Sequence, residues 1–305
     1  MKQFIRALFV LLGVSAMWPP ASIAGKPAWL EGYVVAEKSQ SPNGDFGVLI
    51  PGRGTHLPEG VDVVNYLADL KSHRVVGEIL GVSYSEGENH RGLVVLWAAD
   101  SSWCVVEYQT RFGFDSIAVL DILGSAMGQA DVGEKVQSSL DGVIAKESHN
   151  EENGGEATAY YRLGPGRKLR VRSICTTNPK SFEDQVSYYS LFQGTFDINA
   201  RKWTVTDVRS VNGKAFEALE SAYSYDIEHW DKDVGFSSLE FKAEALDRQL
   251  NAAYSAVKLL LPSKRFSEIK QEQIAWLKVR DASHSAAEKC NLIEQRIKAL
   301  QDLLW

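Results

Sequence analysis

The pattern of apolar and polar positions is clearest in the last quarter of the chain, where it has the period of α-helices. Apolar residues separated by four and three positions fall on one helix face: Leu246, Leu250, Ala253, Val257 and Leu260. Pro262 ends this helix, because its ring fits poorly after a continuing helical residue. We predict that Ser263 caps a second helix with one stripe made of Phe266, Ile269, Gln273, Trp276 and Arg280.

A third amphipathic helix is predicted near the end of the sequence. Its face is formed by Leu292, Ile293, Arg296, Ile297, Leu300, Leu303 and Leu304. Three helices with short connections pack as a small antiparallel bundle, which we assign to residues 239–305.

The preceding 200 residues have the short apolar runs and the turn residues that are typical of strands. Such runs, broken by Gly, Pro, Asn and Asp, fill residues 25–125 and return over residues 157–211. Between them, one helix is predicted over residues 129–146 from the shared face of Val132, Val136, Leu140, Val143 and Ile144. The predicted fold class is α+β, with a mainly antiparallel β domain over residues 25–238 followed by the three-helix bundle.

Two stretches of the β part repeat one order of features. In each, a polar turn leads into a strand, and a second strand ends in an aspartate followed by an aliphatic residue, namely Asp69 and Asp121. This layout resembles blades of a WD-type or TolB-type β-propeller over residues 38–125. Two blades cannot close a propeller, so either they pack as open sheets or other chains complete them. We favour an open, capped sheet.

The helical stretch resembles the LprI-type lysozyme-inhibitor domain, a family of small helical secreted modules. The resemblance is carried by Leu250, Asn251, Tyr254, Gln273, Trp276, Arg280, Asp281, Cys290, Arg296 and Leu300. It covers roughly the last 65 residues and implies a protein partner of lysozyme type. One departure is clear: the family usually has a cysteine soon after Arg-Asp, where this chain has Ser283 and His284. The family's disulfide pattern is therefore not carried over.

The first 24 residues are predicted to be a signal peptide. Lys2 and Arg6 precede an apolar run from Ala7 to Val14, and small residues precede a cleavage site near Ala24. The apolar run is too short for a membrane span. We expect a periplasmic or secreted mature protein without a membrane-spanning segment.

Export changes the expectation for the three cysteines, because disulfides form in oxidising compartments. Cys104 and Cys175 both lie in predicted strands, whereas Cys290 begins the third helix of the bundle. The prediction pairs Cys104 with Cys175 and leaves Cys290 reduced. The alternative is three buried cysteines that act as small hydrophobic residues.

Charge is distributed unevenly along the chain. The formal net charge is −6, which becomes −8 after removal of the signal peptide, with +2 on residues 239–305 and −10 on residues 25–238. This balance argues against a nucleic-acid partner, since phosphate binding needs a basic surface. It is compatible with a cationic partner, although solubility alone explains it more simply.

No nucleophile, phosphate-binding or zinc-binding motif is present in the sequence, so we predict no enzymatic activity, no cofactor and no metal. The candidate binding residues are those of the family pattern: Asn251, Tyr254, Gln273, Trp276, Arg280 and Asp281. Arg280 suits a partner's carboxylate, or it ties two helices together. Trp276 is expected in the core, where its loss would cost about 3–5 kcal/mol.

Two functions are compatible with these observations. In the first, the helical domain binds and inhibits lysozyme-like enzymes, whose clefts hold two carboxylates. In the alternative, the blade-like β domain is a protein-interaction module and the helices are a structural cap.

Overall fold

The computed structural model describes residues 30–55, 63–124, 126–152, 154–177, 186–223 and 239–305. The predicted signal peptide lies outside these residues. The described chain is α+β, as predicted: three antiparallel four-stranded sheets come first, and helices packed together form the C-terminal part.

Each sheet is a simple meander in which sequential strands pair. The first sheet contains β1 (Tyr33–Val35), β2 (Phe46–Pro51), β3 (Asn65–Asp69) and β4 (Arg74–Ile79). The second contains β5 (Gly92–Trp97), β6 (Trp103–Gln109), β7 (Phe114–Leu123) and β8 (Ala126–Asp131). The third contains β9 (Glu156–Gly164), β10 (Lys168–Thr176), β11 (Tyr189–Asp197) and β12 (Lys202–Ser210). The two repeated units thus form the first and second sheets, and the propeller resemblance stays a prediction.

Five helices lie among the described residues. Helix α1 (Gly133–Glu147) joins the second and third sheets, and α2 (Gly213–Tyr223) follows the third. The C-terminal helices are α3 (Leu239–Leu260), α4 (Ser263–Asp281) and α5 (Ala286–Leu303). Helix α4 begins at Ser263 with Pro262 in the N-cap position, so Ser263 is not the cap that the sequence predicted.

Helix α1 begins four residues later than the predicted start at residue 129. Ala126–Asp131 pairs instead with β7, with Asp131 opposite Ala118. An Asp131 carboxylate oxygen accepts hydrogen bonds from the backbone N–H groups of Gly133 and Glu134, at 2.8 and 3.2 Å. The aspartate therefore satisfies two N–H groups that have no partner within the helix.

Alternating side chains of the second sheet serve two different cores. Trp103 and Val105 of β6 face α1, whose Val136, Leu140 and Ile144 fill the space between the second and third sheets. Their neighbours on β6, including Cys104, face the first sheet. The first, second and third sheets are thus joined by two separate apolar cores.

A third core joins the outer face of the third sheet to the helices. Ile174 of β10 and Leu191 of β11 pack with α2 and with α3, α4 and α5. This core includes Ala218, Leu219 and Ala222 on the near side of residue 238. The predicted domain boundary at that residue, which stays a prediction, is therefore crossed by shared apolar packing.

Trp305 attaches the helical part to the third sheet. The guanidinium carbons of Arg162 and Arg172 lie 5.7 and 5.6 Å from its ring centroid. The Gln193 amide donates a 2.7 Å hydrogen bond to the Trp305 carbonyl oxygen, and Arg162 pairs with Asp302. Arginine groups stacked on an indole stabilise such contacts, most strongly when water is excluded.

The structure does not form the predicted Cys104–Cys175 bond. All three cysteines are buried thiols. Cys104 faces the core between the first two sheets, whereas Cys175, on the third sheet, faces the core around α1. The second sheet therefore lies between the two sulfur atoms. Cys290 lies in the third core. The cysteines thus act as small buried apolar side chains.

Candidate functional site

Two residues of the family pattern, Tyr254 and Arg280, make contacts between α3 and α4, along what we call the seam of these helices. Pro262 joins these helices, and its carbonyl oxygen accepts a hydrogen bond from the Phe266 N–H at the start of α4. Near this connection, the rings of Tyr254 on α3 and Phe266 on α4 lie 5.4 Å apart. The half-buried Tyr254 is therefore one of the contacts that hold the two helices together.

Gln273 is a buried residue of α4 that forms a hydrogen bond with α5. It is 8 % exposed, and its side-chain oxygen accepts a 2.7 Å hydrogen bond from Nε of Arg296. Burial lowers the pKa of the Arg296 guanidinium, and the nearby Glu272 carboxylate opposes this shift. The structure thus supports a positioning role for Gln273, because its oxygen accepts from a partly desolvated charge.

Arg280 ties α4 to α3 near the other end of the seam. One guanidinium nitrogen, Nη1, lies 3.1 Å from the Asp247 carboxylate on α3, and Nε donates to Asp281 at 2.9 Å. The same guanidinium lies 5.6 Å from the ring centroid of Trp276. Both partner carboxylates belong to the chain itself, so the observed role of Arg280 is to connect the helices.

The sequence predicted Trp276 in the interior of the helical core. In the structure Trp276 is only half-buried and lies at the edge of that core. Only two residues of α4, Ile269 and Gln273, are buried, so most of this helix faces solvent. Asn251 and Asp281 are exposed, so these two predicted site residues are accessible to a partner.

Sequence reasoning missed three residues of this region. Asp247, the partner of Arg280, lies one helical turn before Asn251, and that spacing was a signal for its position. Ile274 and Val279 are 42 % and 58 % exposed on α4. Both depart from the apolar stripe of that helix, which was a signal that they face outward.

The partial burial of Trp276 lowers the expected effect of removing it. Trp276→Ala should reduce the free energy of unfolding by about 1–2 kcal/mol, below the ~3–5 kcal/mol of a fully buried tryptophan. Urea unfolding followed by helical circular dichroism measures the change. Ile293→Ala, at a fully buried position of α5, is the control and should cost about 2–5 kcal/mol. A larger loss from Trp276→Ala than from the control would contradict the half-buried position.

No cluster of three or more metal-ligating side chains occurs in the part of the chain that the structure describes. Among the same residues, none of the helices is both long and apolar enough to cross a membrane.

Comparison with known proteins gives a family match for the C-terminal part of the chain. A family model described as lysozyme inhibitor LprI matches residues 237–300, which contain α3, α4 and most of α5. The residues of the seam all lie within the match. No curated protein and no solved structure matches the chain.

Proposed function

We propose that the chain is an exported inhibitor of lysozyme-type enzymes and binds them through the outer surface of α3 and α4. The observation that carries this proposal is the match of the lysozyme-inhibitor family model to these helices. Asn251, Asp281 and the exposed edge of the half-buried Trp276 are the accessible members of the family pattern. Arg280 connects α4 to α3 and Gln273 connects α4 to α5, so both act as positioning residues.

Two further features support this function. Ile274 and Val279 add exposed apolar area to α4, as interaction surfaces often do. The net charge of −10 on residues 25–238 would speed the encounter with a cationic lysozyme, because long-range attraction mainly raises association rates. Export to the periplasm or beyond, which the proposal requires, rests on the sequence of residues 1–24.

The function and the surface are tested together by one substitution and its matched control. Asn251→Arg should raise the concentration needed to inhibit a c-type lysozyme at least tenfold, because a long charged side chain would stand on the binding surface. Asn291→Arg makes the same change at an exposed position of α5 and should inhibit like the unaltered protein. Lysis of bacterial cell walls is the assay, and circular dichroism verifies folding.

The two parts of the proposal fail in different ways. Absence of inhibition by the unaltered protein at micromolar concentration would remove the proposed function. Inhibition that Asn251→Arg leaves intact would remove only the assignment of the surface.

The alternative, that the β part binds the partner and the helices are a cap, is supported by the packing of Trp305 on the third sheet. In that case Asn251→Arg would have no effect on partner binding. Loss of inhibition in Asn251→Arg, with Asn291→Arg unaffected, would therefore exclude this alternative.

A further inference from the structure

A groove of about 460 Å³ lies on the β part, far along the chain from the helical seam. Its walls are β8, the first two turns of α1 and the β11–β12 hairpin. The volume falls within the range of about 300–1,000 Å³ that is typical of small-molecule sites. The charged side chains at its rim are exposed, so the groove is open to solvent.

Trp203 gives the groove an aromatic wall. This residue is half-buried, and its ring packs 5.4 Å from Phe192 and 5.5 Å from Phe196, measured between centroids. Both phenylalanines are buried. Because two fixed rings support the indole from within, the part that lines the groove is held in one orientation.

The rim carries both hydrogen-bond donors and acceptors. Glu134 and Lys135 come from α1, and Arg201 comes from the hairpin. Among the described residues, none of these three side chains forms an ion pair. Asp131 is different, because its carboxylate accepts from two backbone N–H groups of α1. The four charges sum to zero, so the groove has no strong preference for an anion or a cation.

The guanidinium of Arg201 lies close to the backbone of β8 at Gly128. A Cβ atom at Gly128 would stand 2.8 Å from Nη2 of Arg201. Any side chain at position 128 would therefore move the guanidinium, which is the end of a flexible side chain. Arg201 also lines the groove, so displacement of its guanidinium would change the groove wall.

We propose that this groove binds a neutral saccharide of one or two pyranose rings. The apolar face of a sugar ring packs on an aromatic side chain. Its hydroxyl groups both donate and accept, which matches the acceptor Glu134 and the donors Lys135 and Arg201. A nucleotide or another polyanion would need a net positive site, and a lipid would need a more apolar rim. The proposal does not depend on lysozyme inhibition.

Titration calorimetry with maltose, cellobiose and N,N′-diacetylchitobiose tests the site. We expect saturable binding of at least one of these disaccharides by the full chain. Trp203→Ala should weaken it at least tenfold, and Glu134→Gln and Arg201→Ala should each weaken it about three- to tenfold. Gly128→Ala should weaken it through the displaced Arg201 alone.

Matched controls make the result decisive. Glu147→Gln changes an exposed glutamate at the far end of α1, and Arg248→Ala changes an exposed arginine of α3. Both should bind as the unaltered protein does. Because Glu134 and Arg201 are exposed, their variants stay informative even if Trp203→Ala does not fold. Absence of saturation with all three disaccharides would overturn the proposal, and so would unchanged binding by both the Glu134 and Arg201 variants.

Discussion

Replacement of Gln273 by leucine is expected to destabilise the helical part by about 1.5–3 kcal/mol, although leucine is the more apolar side chain. The substitution leaves Nε of Arg296 without its acceptor at 2.7 Å. The Arg296 side chain is 12 % exposed, and its ionic contact with Glu272 is 3.9 Å long. Water is therefore poorly able to replace the lost hydrogen bond.

Replacement of Arg296 by leucine separates the effect of the lost hydrogen bond from the effect of lost packing. Arg296→Leu alone should also destabilise, because it leaves the buried Gln273 oxygen without a donor. The double variant removes donor and acceptor together and should recover much of the loss, since apolar pairs often replace buried polar pairs at little cost. A coupling free energy of about 1–3 kcal/mol is expected from the cycle.

Urea unfolding of all four proteins, followed by helical circular dichroism, measures the coupling. Additive losses in the double variant would show that Gln273 and Arg296 do not act as a pair. Ser267→Ala, at an exposed position of the same α4 helix, is the control and should change stability by less than about 0.5 kcal/mol.

A fragment of residues 239–305 is expected to lack cooperative unfolding, whereas residues 213–305 should show it. The longer fragment includes α2, whose Ala218, Leu219 and Ala222 share a core with Leu246 and Leu250 of α3. Without α2 these α3 side chains are exposed, and a helical unit of this size has little stability to lose.

Thermal melts of both fragments and of the full chain provide the measurement. Leu219→Ala in the longer fragment should remove about 2–5 kcal/mol, because Leu219 is fully buried in the full chain. A sharp melt of residues 239–305 at the temperature of the longer fragment would instead establish residue 238 as an independent domain boundary.

The helices of the bundle were predictable because local periodicity decides them. The 4-3-4-3 spacing of α3 survives in the structure as buried Leu246, Leu250, Ala253 and Val257. For α4 the same reasoning identified the correct stripe but overestimated the burial of Trp276. A stripe gives the direction in which a side chain points, whereas its burial depends on how closely the neighbouring helices approach.

The partners of the third sheet could not be predicted from local pattern. Arg170 and Arg172 alternate along β10 with the apolar residues Leu169 and Val171, and a local pattern of this kind is typical of a strand with one polar face. Arg172 is nevertheless only 4 % exposed, because Trp305 lies against its guanidinium. Such a contact joins segments more than 100 residues apart, and single-strand periodicity contains no information about it.

In the candidate site, too, local sequence pattern predicted some features, and others depend on contacts between distant segments. Family spacing selected Asn251, Tyr254, Gln273, Trp276, Arg280 and Asp281. The structure places Tyr254 and Arg280 in contacts between α3 and α4, and Gln273 in a contact between α4 and α5. The sequence did not predict which of these residues are exposed, because the hydrogen-bond partners of Arg280 and Gln273 lie on other helices. The groove beside Trp203 was missed entirely, since its walls come from three separate segments.

The placement of the thiols makes each apolar core separately observable during unfolding. Cys104 lies between the first two sheets, Cys175 beside α1, and Cys290 within the helices. Burial raises the pKa of all three thiols, that of Cys175 to about 12, so native sulfurs react slowly with alkylating reagents. Short pulses of such a reagent at rising urea concentration, read by mass spectrometry, would reveal the order in which the cores open.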